Sequence, residues 1–195
     1  MKSIKDKIMA KISRKGPGCI FTAQDFMPEF KRYEIDASLK TLADCGRIRK
    51  ICRGIYDYPA YSELLKQPSA PDLYGIANKF ASKYCWNIYP SGDTALNYFG
   101  LSTQIPSKLV FISNGPSKAL ATPFGEICFK HSALRETSFR YAESCLVVQA
   151  LREIGQQNLT PEIIARIKGK FDEQFLQKIR RDIVSTANWL QQAIR

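Results

Sequence analysis

The chain has 195 residues, 45% of them hydrophobic, which suits one globular domain or two small ones and excludes a disordered protein. Its formal charge of +11, from 29 basic and 18 acidic side chains, leaves two readings open: a polyanionic partner, or a basic surface that binds nothing. No apolar run reaches the roughly 18 residues that span a bilayer, and the charged start Met1–Lys7 does not read as a secretory leader, so a cytoplasmic protein with no membrane partner is expected.

The first helical pattern is Ile4, Ile8 and Ile12, which recur every fourth position among Lys2, Lys5, Lys7, Lys11, Arg14 and Lys15. Gly16-Pro17-Gly18 ends it, since proline cannot continue a helix. Cys19–Thr22 reads as a short strand, and Thr22 with Asp25 comes close to a capping box for a short helix through Phe26 and Met27. From Tyr33 to about Cys45 a second amphipathic helix is predicted. Ile35, Leu39, Leu42 and Ala43 lie on one face, Tyr33, Ala37, Lys40 and Thr41 on the other, and Gly46 closes it. Ile48–Ile51 and Ile55–Tyr58 flank Cys52-Arg53-Gly54 and predict a β-hairpin ended by Pro59.

Helix, short strand, helix, turn, helix and hairpin is the order of a winged helix-turn-helix, expected over residues 1–60 as a DNA-binding domain. Residues 61–71, with Gln67-Pro68-Ser69-Ala70-Pro71, read as an extended linker. Residues 72–195 read as a second, mixed α/β domain ending in helices, so the fold class expected is α+β. Within it a helix runs from Leu73 to about Tyr84, a strand over Trp86–Tyr89, and a helix over Asp93–Phe99 that Ser91 could cap. Lys108–Ser113 and Glu126–Lys130 are expected to be paired strands. A helix is predicted from Thr137 to Ile154, another after Thr160-Pro161, and a long apolar stripe through Phe171, Phe175, Ile179, Ile183, Leu190 and Ile194.

The second helix of a helix-turn-helix enters the major groove, so Tyr33, Ser38, Lys40 and Thr41, with Arg32 at its start, are candidate contacts to bases and phosphates. Arg49, Lys50 and Arg53 put three cations within five positions of a hairpin, with Gly54 allowing close approach to a phosphate. The alternative is an edge hairpin guarded by charge against aggregation. The six cysteines, at 19, 45, 52, 85, 128 and 145, include no pair at two-residue spacing, and His131 is the one histidine. No metal site is assigned, and the thiols are expected reduced and mostly buried. No catalytic residue and no cofactor are assigned either: Ser91 and His131 lack triad partners, and a metal held by Asp93 and Glu126 for nuclease chemistry has little support.

The stretch Leu42–Pro59 resembles the wing of AbiE-type antitoxins, and Tyr89–Pro106 resembles the start of their second domain. The likeness covers most of residues 1–135, and the two motifs together are more specific than either alone. It implies a bacterial type IV toxin–antitoxin system of abortive phage infection. A member would bind promoter inverted repeats of double-stranded DNA, as a pair on the two half-sites. It would counter a nucleotidyltransferase-like toxin without a stable complex. Arg49, Lys50 and Arg53 would then be DNA contacts. The rival expectation is a winged-helix regulator that senses a small ligand and has no toxin.

Overall fold

The computed structural model describes residues 3–103, 108–132 and 139–195. The Thr137 helix start, the Gln104-Ile105-Pro106 end of the second motif, and Met1 and Lys2 lie outside the described residues. The protein is mixed α+β, and its chain divides into two compact units, Met1–Cys85 with Ala121–Gly125, and Trp86–Leu120 with Glu126–Arg195.

The first unit opens with helix α1, Ile4–Lys15. Ser3 caps it, accepting from the Asp6 amide at 3.2 Å while Asp6 reaches back to the Ser3 amide. Strand β1 (Ile20–Phe21) leads into a 3-10 turn over Ala23–Phe26, where Asp25 accepts from the Thr22 amide at 2.8 Å. The short helix expected here is this 3-10 turn, which ends at Phe26. Helix α2 spans Arg32–Asp44. Strands β2 (Arg49–Cys52) and β3 (Ile55–Asp57) form the hairpin, and the three strands lie in the order β1-β3-β2, all antiparallel. Ile8, Ile12, Phe21, Phe26, Ile35, Leu39, Leu42 and Ile48 close around one core. Each such side chain fully buried contributes about 1.5–3 kcal/mol.

Residues 61–71 are not a plain linker. Strands β4 (Tyr61–Ser62) and β5 (Gln67–Pro68) pair antiparallel, Tyr61 with Pro68 and Ser62 with Gln67. Ser62 Oγ accepts from the Leu65 amide at 3.2 Å, and Lys66 turns the chain with φ of 50°. Two-residue strands carry no readable alternation, and Pro68 is tolerated because its strand is an edge. Helix α3 (Leu73–Lys83) is capped by Asp72 and belongs to the first unit, packing on β1 and β3, although a second domain was expected to start at residue 72.

Strands β6 (Ile88–Pro90), β7 (Lys108–Ser113), β8 (Lys118–Thr122) and β9 (Gly125–His131) form a sheet in the order β6-β7-β9-β8, most of which belongs to the second unit. β7 and β9 are parallel neighbours because β8 takes the outer edge and β9 returns between them. Helix α4 covers Asp93–Tyr98. Its N-cap is Gly92, and the Ser91 hydroxyl instead donates to Gln149 Oε1 at 3.2 Å. The remaining helices are α5 (Ala142–Ile154), α6 (Pro161–Lys168), α7 (Glu173–Asp182) and α8 (Asn188–Ile194). The long terminal stripe is broken by a 3-10 turn at Ile183–Ser185, which lets α7 and α8 both bury their apolar faces against α5.

Two expected outcomes follow from this packing. A Cβ on Gly115 would overlap the Trp86 indole, so Gly115→Ala should destabilise by about 1–3 kcal/mol, read by thermal unfolding with the wild-type chain as reference. Burial works to raise the Asp25 carboxyl. The Lys79 hydrogen bond at 2.7 Å, the Thr22 amide and the Lys79 and Lys15 charges outweigh it and hold Asp25 below its ordinary 3.8. A carboxyl lowered in the fold stabilises fully above that value and loses the contribution as pH falls through its folded pKa. Asp25→Asn should therefore flatten the acid limb of a pH series of unfolding midpoints and lower stability at neutral pH.

Candidate functional site

Helix α2 is divided lengthwise by burial. Ile35, Ser38, Leu39 and Leu42 face inward, three and four residues apart, as helical spacing requires. Ser38, read from the sequence as a groove contact, is 8% exposed and sits in that inward row, so it is not available to a ligand. Arg32, Tyr33, Lys40 and Thr41 are all on the exposed side. Arg32 Nε donates to Asp36 Oδ2 at 2.8 Å across one helical turn, and the Thr41 hydroxyl donates to its own helix at the Ala37 carbonyl. Tyr33 is a large exposed aromatic. The outer face therefore mixes Arg32 and Lys40 with Asp36, rather than presenting cations alone.

The hairpin separates its three cations more sharply. Arg49 sits opposite Asp57 in the β2–β3 register. Its Nε and Nη2 donate to the two Asp57 oxygens at 3.0 and 2.6 Å, and Nη2 also donates to the Ser69 carbonyl at 3.0 Å. The guanidinium lies 4.5 Å from the centre of the Phe124 ring. Asp57 is only 1% exposed, so Arg49 is the partner that makes a buried carboxylate tolerable. Arg49, half-buried, thus has a structural role, and its Nε and Nη2 are already engaged within the first unit.

Lys50 and Arg53 remain exposed. A bulge between Lys50 and Cys52 precedes the turn, and Gly54 adopts φ of 79°, the left-handed conformation that glycine takes without strain. Lys83, in the last turn of α3, donates its Nζ to the Arg53 carbonyl at 3.3 Å. This third cation at the turn was not legible in the sequence, because only packing of α3 on the sheet brings residue 83 to residue 53. Cys52 next to them is pushed above its ordinary range by burial, which keeps it a thiol.

The residues weighed for catalysis are not assembled. Asp93 and Glu126 are exposed, and no group of three metal-ligating side chains occurs among the described residues. The His131 ring Nδ1 is 2.9 Å from the Gly115 carbonyl, and its amide is held by Ser117, so it ties down a loop. All six cysteines are free thiols, but only Cys145 is buried, while Cys45 and Cys85 are exposed; the expectation of mostly buried thiols fails there. No described helix is long and apolar enough to cross a membrane.

Arg49→Ala strips the partner from a buried carboxylate and should cost about 3 kcal/mol or more. Arg53→Ala, at an exposed turn, should stay within about 0.5 kcal/mol of wild type. Denaturant unfolding of both variants checks the contrast.

Residues 7–181 match a family described as being of unknown function (DUF6088). No curated protein matches. A solved structure, the RV2827C protein from Mycobacterium tuberculosis, is similar over 96% of this chain and 73% of its own, at 11% identity and a TM-score of 0.48. A likeness so distant carries no argument about what this chain does.

Proposed function

We propose that this chain, which belongs to the DUF6088 family of unknown function, is a double-stranded DNA-binding transcription regulator whose first unit acts as a winged helix-turn-helix. In this reading α2 is the recognition helix, the β2–β3 hairpin is the wing, and the 3-10 turn at Ala23–Phe26 stands for the first helix of the motif. The observation that carries it is the pairing of an exposed α2 face with an exposed Lys50 and Arg53 turn, on a sheet ordered β1-β3-β2. Helix α2 runs into that hairpin with its last turn tied to the Arg47 amide through the Leu42 carbonyl at 2.9 Å.

The contacts divide by chemistry. Lys50, Arg53 and Lys83 supply charge to phosphates, where each contact releases a condensed counterion. Tyr33, Lys40 and Thr41 would read base edges or the sugar–phosphate backbone, and Arg32 would exchange Asp36 for a phosphate at little loss, since an exposed ion pair contributes about 0–1 kcal/mol. Two such chains would sit on inverted repeats, each taking one half-site. The further step, an antitoxin that represses its own promoter and counters a nucleotidyltransferase-like toxin, rests on the resemblance of Leu42–Pro59 and Tyr89–Pro106 to AbiE-type antitoxins.

The test is fluorescence anisotropy with the DNA upstream of the protein's own gene, titrated at several salt concentrations. Wild type should bind it more tightly than unrelated duplex. The double variant Lys50→Ala and Arg53→Ala should bind more weakly, with a log–log salt slope shallower by about 2. Equal affinity for both duplexes, or a slope unchanged in the variant, overturns the reading.

A further inference from the structure

The second unit holds a cation-rich cavity of about 190 Å³, lined by Arg140, Tyr141, Lys178, Arg181 and Asp182. Asp182, at the end of α7, accepts from the Arg140 and Tyr141 backbone amides at 3.0 Å each. Both of its oxygens are thereby engaged in tying the chain ahead of α5 to α7. The three cations are not engaged in the same way. Arg140 lies 5.8 Å from the Tyr141 ring centre and Lys178 5.7 Å from that of Phe175, while Arg140, Lys178 and Arg181 form no salt bridge with a described residue. Tyr141 packs edge-on against Phe175 at 5.5 Å, which fixes its ring.

Among the described lining residues, three cations face one carboxylate, a net charge of +2. A phosphomonoester carries about −1.5 to −2 at neutral pH and offers three acceptor oxygens. The volume is below the several hundred cubic ångströms typical of drug-sized ligands, so it suits a phosphate head with a planar group against the Tyr141 ring. Guanidinium forks match phosphate geometry, and two of the three cations are arginines.

We propose that this cavity binds the phosphomonoester of a nucleotide, with Arg140, Lys178 and Arg181 on the phosphate and Tyr141 against the base. A free mononucleotide and the 5′-phosphate end of a nucleic acid share that chemistry. The site is built from residues of the second unit alone and stands whether or not the first unit binds DNA.

Calorimetric titration of the full chain with AMP tests it, with adenosine, and a short single-stranded oligonucleotide with and without a 5′-phosphate, as the other arms. AMP should bind saturably and adenosine should not. Lys178→Ala and Arg181→Ala, both at exposed positions, should each weaken AMP binding by roughly tenfold. Lys50→Ala with Arg53→Ala should leave it unchanged, which separates this site from the wing. Binding of the 5′-phosphorylated oligonucleotide over its 5′-hydroxyl form supports the site and assigns it to chain ends; preference for AMP alone supports it and assigns it to free nucleotide. No saturable binding of AMP or the phosphorylated oligonucleotide overturns the proposal, as does affinity unaltered in the Lys178 and Arg181 variants of native fold by circular dichroism.

Discussion

A charge with almost no access to water organises the first unit. Asp57 ends strand β3 with 1% of its surface exposed, and Arg49 meets it with a two-pronged hydrogen-bonded pair. The same guanidinium holds the Ser69 carbonyl and covers Phe124, so one side chain joins the hairpin, the end of β5 and residues 121–125. An isolated carboxylate at that depth would be costly, and the pair restricts the hairpin to one register. Everything placed on the hairpin, including the exposed turn, inherits its position from that restriction.

The consequence for binding is a division of labour among residues of the same sign. Arg49 and Lys50 are adjacent in a strand, so they point to opposite faces; Lys50 is exposed while Arg49 is half-buried against Asp57. Lysine and arginine counts along a hairpin therefore overstate the charge that it offers. Lys83 partly restores it, reaching the turn from α3. The outer face of α2 works differently, with Asp36 beside Arg32 tempering attraction to any polyanion.

Much of this was legible from spacing. The rows Ile4–Ile8–Ile12 and Ile35–Leu39–Leu42 located α1 and α2 because a helix returns to the same face every three or four residues, and Gly54 marked the turn by its backbone freedom. The same spacing contained the burial of Ser38, which lies three residues after Ile35 and four before Leu42; its polar type outweighed its position. The pairing of Arg49 with Asp57 was not legible, because its partner sits eight residues away across the hairpin and nothing in the local pattern marks an arginine that holds a buried carboxylate. Strands of two residues, such as Tyr61–Ser62 and Gln67–Pro68, are too short for any period to register. The cavity at Arg140 was invisible, since it joins the approach to α5 with the far end of α7 through Asp182.

The chain leaves the first unit after Cys85, comes back to it for the short segment Ala121–Gly125, and departs again. Neither unit is therefore a contiguous piece of polypeptide. An isolated fragment ending at Cys85 would lack Phe124 above the Arg49 guanidinium and so part of its own packing. Residues 1–60 on their own would lack Ser69 and α3 as well.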